Sequence, residues 1–290
     1  MNKTLIIDGN NCIHRTFWTA KNIAGGDNDK LDSFHIYFTL NAIKSYVSKF
    51  SPDKVFICWD EKINYQVNDR KISFTDYKGT RSTDSTPHRN NNTIKEFLNL
   101  LGITSMYPSS LEADDCIAFL CNELPGSKVI VSADMDFYQL VSKTTSVYSP
   151  IKKIHITESN FTQEAGYNIN KFLTVKCIQG DKSDNVPGIP KFGKVKLNKF
   201  LEGEIKLTED QIQIYDRNYE LFRLDRFKDQ SCIDEYTYYV LQLKESENLK
   251  PDYQDFIALC VNHKINNILS KKEDWYQLFY FKNKLIDLFR

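Results

Sequence analysis

Nine acidic side chains fall in five short motifs: Asp8 in TLIID, Asp60 in VFICWD, Glu112, Asp114 and Asp115 in LEADD, Asp134 and Asp136 in SADMD, and Asp181 and Asp184 in GDKSDN. Taken singly, each has an ordinary explanation. Glu112, Asp114 and Asp115 open a helical pattern, where carboxylates cap free amides and complement the helix dipole. Asp181 and Asp184 precede a Pro/Gly turn, and Asp, Ser and Asn are common turn residues. Taken together, the first seven pose a problem if they meet. Carboxylates gathered without partners repel and raise one another's pKa values. Cations resolve the conflict, and an oxygen-only ligand set selects a hard ion, Mg²⁺ or Mn²⁺, over zinc.

Whether they meet depends on the elements that carry them. Runs at 4–8, 55–60 and 129–132 are rich in Val and Ile and predict buried strands. Asp8 and Asp60 end the first two, and Asp134 and Asp136 follow the third at once. Apolar residues at helical spacing predict helices over 31–50, 94–101 and 113–124. Strands alternating with helices imply an α/β fold with a mostly parallel central sheet flanked by helices, which short strands at 146–148 and 154–156 extend. Ligands of open parallel sheets bind at the carboxyl ends of the strands, so the seven acids are expected along one edge. A polar stretch over 70–92 reads as a long loop of the kind that is functional or disordered. Beyond about residue 170 the strand patterns stop, and aromatic stripes at 215–222 and 275–281 read as helix cores. The expected division is an α/β unit over 1–168 and a helical unit over 169–290.

The chain has 290 residues, with 38 Lys and Arg against 38 Asp and Glu, for a formal net charge of zero. A zero sum argues against a nucleic-acid partner until its distribution is read. Lys182, Lys191, Lys194, Lys196 and Lys199 crowd one stretch while the acids gather in motifs, so two opposed patches are expected. The seven cysteines are scattered without a CxxC pair, which excludes a zinc-finger arrangement and suggests reduced, buried thiols. No apolar run is long enough to span a bilayer and the start, MNKTLIIDGNN, lacks a cleavable signal. A cytoplasmic monomer with no membrane partner is the expectation.

DGNN at 8–11, DYKGTR at 76–81, EADD at 112–115, SADMDFYQL at 132–140 and GDKSDNVPGI at 180–189 occur in that order. As a set they resemble the 5′–3′ exonuclease and flap endonuclease family, which includes phage replication nucleases and the N-terminal nuclease domain of bacterial DNA polymerase I. The resemblance covers about the first two-thirds of the chain. Composition rich in Asn, Lys and Ile, with no polymerase attached, suggests a stand-alone phage enzyme acting in DNA replication.

The resemblance implies a PIN-like 5′ nuclease core that uses two Mg²⁺ ions, with Mn²⁺ able to substitute. Asp60, Glu112 and Asp114 would hold the first ion, with Asp8 and Asp115 helping directly or through water. Asp134, Asp136, Asp181 and Asp184 would hold the second. Lys78 is assigned to the scissile phosphate, Arg81 to the same or an adjoining one, and Tyr77 to stacking on an unpaired base. The segment 78–95, with His88 and Arg89, would form an arch over a 5′ strand. A helix–three-turn–helix element over 180–202 would grip duplex DNA through Lys191, Gly193, Lys194, Lys196 and Lys199. There the chain departs from the family: Lys191-Phe192-Gly193 stands where Gly-hydrophobic-Gly is usual, which obstructs an amide that would approach phosphate or a monovalent cation. The implied substrate is DNA with a 5′ flap or free 5′ end, with RNA·DNA hybrids as a further one through an RNase H-like activity, and a single-strand-binding protein as a partner. Two alternatives stand beside this. A PIN-type ribonuclease would generally lack the GDKSDN module, and a catalytically inactive structure-specific DNA-binding protein would be expected to lose acids, whereas all nine positions are acidic.

Overall fold

The computed structural model describes residues 2–60, 69–80 and 86–281. Its sheet has six strands: β1 (Lys3–Asp8), β2 (Lys54–Cys58), β3 (Thr104–Met106), β4 (Ser127–Val131), β5 (Thr145–Ser149) and β6 (Ile154–Ile156), in the order β3-β2-β1-β4-β5-β6. All neighbours run parallel except β6, which is antiparallel to β5. Successive side chains of a strand point to opposite faces. Accordingly Leu5, Ile7, Ile57, Val129 and Val131 enter one core, and Ile6, Phe56, Cys58 and Ile130 the other. Burial on both faces is why these strands read as continuous apolar runs. β2 ends two residues earlier than expected, where its partner β3 also ends at Met106. The three-residue β3 was not expected, being too short to show a period.

Helices α1 (Gly9–Ala24) and α2 (Asn28–Phe50) cover the first face. α3 (Asp69–Ser73) and α4 (Asn91–Leu100) follow β2, and α5 (Ala113–Glu123) packs on the second face. α1 begins where β1 ends, with no loop between them. That junction requires Gly9: a Cβ there would lie 2.5 Å from the Trp59 ring and 2.7 Å from the Cys58 carbonyl oxygen. Asp8 and the end of β2 are thereby pressed together.

Beyond the sheet come α6 (Phe161–Ala165), α7 (Phe172–Gln179), a two-residue hairpin of β7 (Gly180–Asp181) and β8 (Val186–Pro187), α8 (Lys194–Leu201) and α9 (Glu209–Phe222). α7 to α9 make small cores of their own, one with Val175, Ile178, Ile189 and Leu197, another with Cys177, Val186, Leu221 and Phe222. The last helices, α10 (Ile233–Ser246), α11 (Tyr253–Asn262), α12 (Asn266–Leu269) and α13 (Lys272–Tyr276), do not. Phe256, Cys260, Ile268 and Trp275 join the first sheet core, while Phe227, Cys232 and Tyr239 join the second. Packing therefore does not divide at residue 168. The return also steadies the approach to the EADD motif. Gln242 bonds both backbone groups of Tyr107 at 2.8 Å, and the buried Glu235 carboxylate accepts the amides of Ser109 and Ser110 at 2.7 Å.

No disulfide joins the described cysteines, and six of the seven are buried. Among the described residues no helix is long and apolar enough to cross a membrane.

Candidate active site

β1, β2 and β4 are adjacent and parallel, so their carboxyl ends open on one edge and deliver Asp8, Asp60 and Asp134 to it. Asp8 caps α1, accepting the Asn11 amide at 3.0 Å, and its other oxygen accepts the Ser132 hydroxyl at 2.7 Å. The same Ser132 oxygen accepts the Asp134 amide at 3.0 Å, so one hydroxyl fixes two acids. Asp60 accepts the Ala113 amide at 2.7 Å and the Asn10 side-chain amide at 3.0 Å. These are neutral donors, and they do not cancel charge. Burial pushes the Asp8 carboxyl up to about 7, with Asp134 and Asp60 adding to the shift. Burial and Glu112 raise Asp60, and burial and Asp134 hold Asp114 well above the usual carboxylate range.

Glu112 is the most constrained acid. Its Oε2 accepts from Arg70 at 3.0 Å and from the Tyr77 hydroxyl at 3.1 Å, and its Oε1 accepts from Lys78 at 2.7 Å. Arg70 is buried at 2% exposure. Its remaining donors reach Asp115 at 2.6 and 2.9 Å and the carbonyls of Leu221 and Arg223 at 2.8 and 3.1 Å. Asp115 also accepts the Glu112 amide at 3.1 Å and has no exposure. Asp115 is the counter-ion of a guanidinium, with both oxygens on Arg70. One expectation is corrected here. Tyr77 is 3% exposed and aims its hydroxyl at Glu112, so its ring is not available to stack on a base.

A second acid group lies beside the first. Ligand oxygens of Asp136, Asp181 and Asp184 all lie within 4.8 Å of one another. Asp136 sits on the turn that Asp134 caps, where the Asp134 side chain accepts the Asp136 amide at 2.8 Å. Asp181 accepts the Ser183 amide and hydroxyl at 2.7 and 2.6 Å. Lys176 of α7 pairs with Asp136 and, at 3.0 Å, with Asp181. Burial and Asp134 raise Asp136 to about 6 against the pull of Lys176. Burial also acts upward on Asp181, but the Ser183 hydroxyl and Lys176 outweigh it and hold the group at about 2. Lys78 joins the two groups: its amide donates to the Asp184 carbonyl at 2.8 Å from a left-handed backbone at φ 55°.

The donor set suits hard divalent ions. Among the described residues no ammonium or guanidinium pairs with Asp8, Asp60, Asp114 or Asp134. Asn10 Oδ1 is buried and has no partner among the described residues, on a carboxamide whose nitrogen donates to Asp60. Burial without neutralisation is costly for carboxylates unless a cation offsets it.

Arg81 lies outside the described residues. Arg89 pairs with Asp32 of α2 at 2.8 Å, Asn90 bonds Asp32 at 2.9 Å, and Ile94 is fully buried. The part of the expected arch from 86 to 95 is thus docked on the core as a 3₁₀ turn (Thr86–His88) and the start of α4. On α8, Leu197 is buried while Lys194, Lys196 and Lys199 are exposed, with Gly193 at the N-cap. Lys191 is exposed and held at φ 56°. Sequence reasoning missed Arg70, Lys176, Asn10 and Ser132. Only Asn10 and Ser132 carried a signal, since each adjoins or nearly adjoins a singled-out acid.

A family model described as the 5′–3′ exonuclease N-terminal, resolvase-like domain matches residues 3–166. A 5′–3′ exonuclease of Buchnera aphidicola subsp. Schizaphis graminum is 30% identical over 204 residues, covering 68% of this chain and 68% of that protein. Among solved structures, the bacteriophage T5 flap endonuclease in a pseudo-enzyme-product complex with DNA and metal ions is 18% identical at a TM-score of 0.62, covering 85% of this chain and 100% of that one. Flap endonuclease-1 from Methanococcus jannaschii is 14% identical at a TM-score of 0.60, covering 97% and 94%. Likeness at those identities speaks for the fold, whereas the family match spans more than half of the chain. The acid-lined edge thus belongs to a nuclease, and the chain is a member of the 5′–3′ exonuclease family.

Proposed function

We propose that this protein is a structure-specific 5′ nuclease that hydrolyses DNA phosphodiesters at 5′ flaps and free 5′ ends, using two divalent ions. The observation that carries the reading is the convergence of Asp8, Asp60, Glu112, Asp114 and Asp134 on one sheet edge, where the Lys78 ammonium meets Glu112. Asp136, Asp181 and Asp184 would hold the second ion. When bound, two such ions supply an acidified attacking water and charge to stabilise the leaving oxygen. The chain's own groups do the placing. Ser132 aims Asp8, the Ala113 amide fixes Asp60, and Arg70 with Tyr77 turns Glu112 so that one oxygen stays toward Lys78. Lys78 would present its charge to the scissile phosphate, where preorganised charge lowers the barrier. The uncapped N-terminus of α8 and its exposed lysines suit duplex phosphates. DNA as substrate is supported by the family match and by the T5 relative's structure with DNA.

The test is cleavage of a labelled 5′ flap, a nicked duplex and an RNA·DNA hybrid, each with Mg²⁺, Mn²⁺ or EDTA. Flap cleavage with either metal and none in EDTA is expected, and cutting of the hybrid would extend the reading to RNA primers. Undiminished cutting in EDTA would remove the metal mechanism. Preference for single-stranded RNA would replace the proposal with a ribonuclease.

A further inference from the structure

In the second acid group one ammonium of the protein's own bridges two of the three carboxylates. Lys176 sits midway along α7, whose Val175, Cys177 and Ile178 are buried, and its ammonium lies 4.6 Å from the centre of the Phe222 ring. Its side chain is 10% exposed, and its nitrogen pairs with Asp136 and with Asp181. These are two of the three carboxylates whose oxygens cluster within 4.8 Å. Mg²⁺ binds oxygen ligands at ~2.0–2.1 Å, so an ion held by Asp136 and Asp181 would compete with the ammonium for the same two carboxylates. Two cations sharing those oxygens would also repel across a partly buried site. A lysine can yield: its charge rides on a flexible four-carbon stem, and it serves phosphate as well as carboxylate.

We propose that Lys176 is a resident counter-cation at the second metal position, which a divalent ion must displace, and that DNA phosphate receives the displaced ammonium. The inference rests on the two-ion reading above. Its consequence is a second position that fills weakly in the free protein and tightly with DNA present. Lys176 thus couples substrate arrival to completion of the metal pair.

Mn²⁺ binding followed by electron paramagnetic resonance of the free ion tests this without any turnover. In DNA-free protein, wild type should bind one ion tightly and a second weakly. Lys176→Met keeps the stem and removes the charge, and should tighten the second ion at least tenfold while moving the first less than twofold. Lys176→Gln is the companion variant, and circular dichroism confirms that either is folded. A flap with a phosphorothioate at the scissile bond should tighten the second ion in wild type by a larger factor than in the Met variant, because only wild type has an ammonium to hand over. A second ion bound no more tightly by both folded variants than by wild type overturns the Lys176 proposal and leaves the nuclease reading standing. Absence of any bound ion in all three proteins overturns both.

Discussion

The strand-end acids and the loop acids share one cleft but are built on opposite terms. Asp8 and Asp60 are fixed by amides, a hydroxyl and a side-chain carboxamide projecting from buried elements, all neutral. Asp136 and Asp181 ride on a 3₁₀ turn and a two-residue hairpin and meet an ammonium. The outcome is visible in their proton affinities, with Asp8 raised by burial to about 7 and Asp181 held at about 2. A rigid sheet edge can hold like charges together without cancelling them, whereas the turn-borne acids here are held by a compensating charge. The first region stores repulsion, whereas in the second Asp181 has discharged it and Asp136, beside Asp134, keeps part of it.

The sharpest way to break that contrast is a pair of matched substitutions. Asp60→Asn should remove measurable cleavage yet raise the melting temperature in EDTA, since it deletes a repelling charge. Asn10 can turn its unpartnered oxygen toward the new amide. Asp181→Asn should also impair cleavage but lower the EDTA melting temperature, because Lys176 and Asp136 lose a partner. Melting shifts of the same sign would end the distinction. Next in size, Lys78→Ala should slow single-turnover cleavage by ~10²–10³-fold, with substrate affinity far less changed. An equal fall in affinity would make Lys78 a binding group.

A smaller effect lies in pH. Asp8 and Asp136 bind protons more tightly folded than unfolded, so their contribution to stability is complete below their unfolded pKa of about 4 and is lost as pH rises through 6 and 7. Asp181 acts oppositely, contributing above about 4 and failing as pH falls toward 2. The urea midpoint of metal-free protein should therefore drop between about pH 4 and 7, and saturating Mg²⁺ should flatten that slope. A flat profile without metal would mean that the strand-end group stores no repulsion. The smallest effect serves as a control outside both groups. Lys191→Gly should stabilise by about 1 kcal/mol, since a side chain at φ 56° is strained. That corresponds to a rise of about 2–4 °C in a chain of this size, equal with and without Mg²⁺.

The sheet edge was legible because β-branched runs mark strand ends, and parallel topology does the rest. Asp8, Asp60 and Asp134 needed no further information. Asp114 and Asp115 show where legibility stops. They are adjacent, and one residue's rotation about α5 sends the first to the cleft and the second to Arg70. Arg70 itself lies in a polar stretch with no periodicity, and its partners are 42 to 153 residues away in sequence. Lys176 and Tyr77 are the same case, since their meaning comes from what packs against them. α1 was missed although Cys12, Ile13, Thr16, Phe17 and Ala20 keep helical spacing, because polar residues alternate through them.

The return of the last helices over both faces of the sheet bears on how this protein could be divided. Phe97 meets Phe256 edge to face at 5.8 Å, and Phe119 is ringed by Phe227, Tyr236 and Tyr239 within 5.7 Å. A fragment ending near residue 168 would keep seven of the nine acids and place those rings in water, as a sheet with two greasy sides. The stretch that carries the family's signature is therefore not a detachable cassette. Stepwise trimming from the carboxyl end should cost solubility well before it reaches an acidic residue of the cleft.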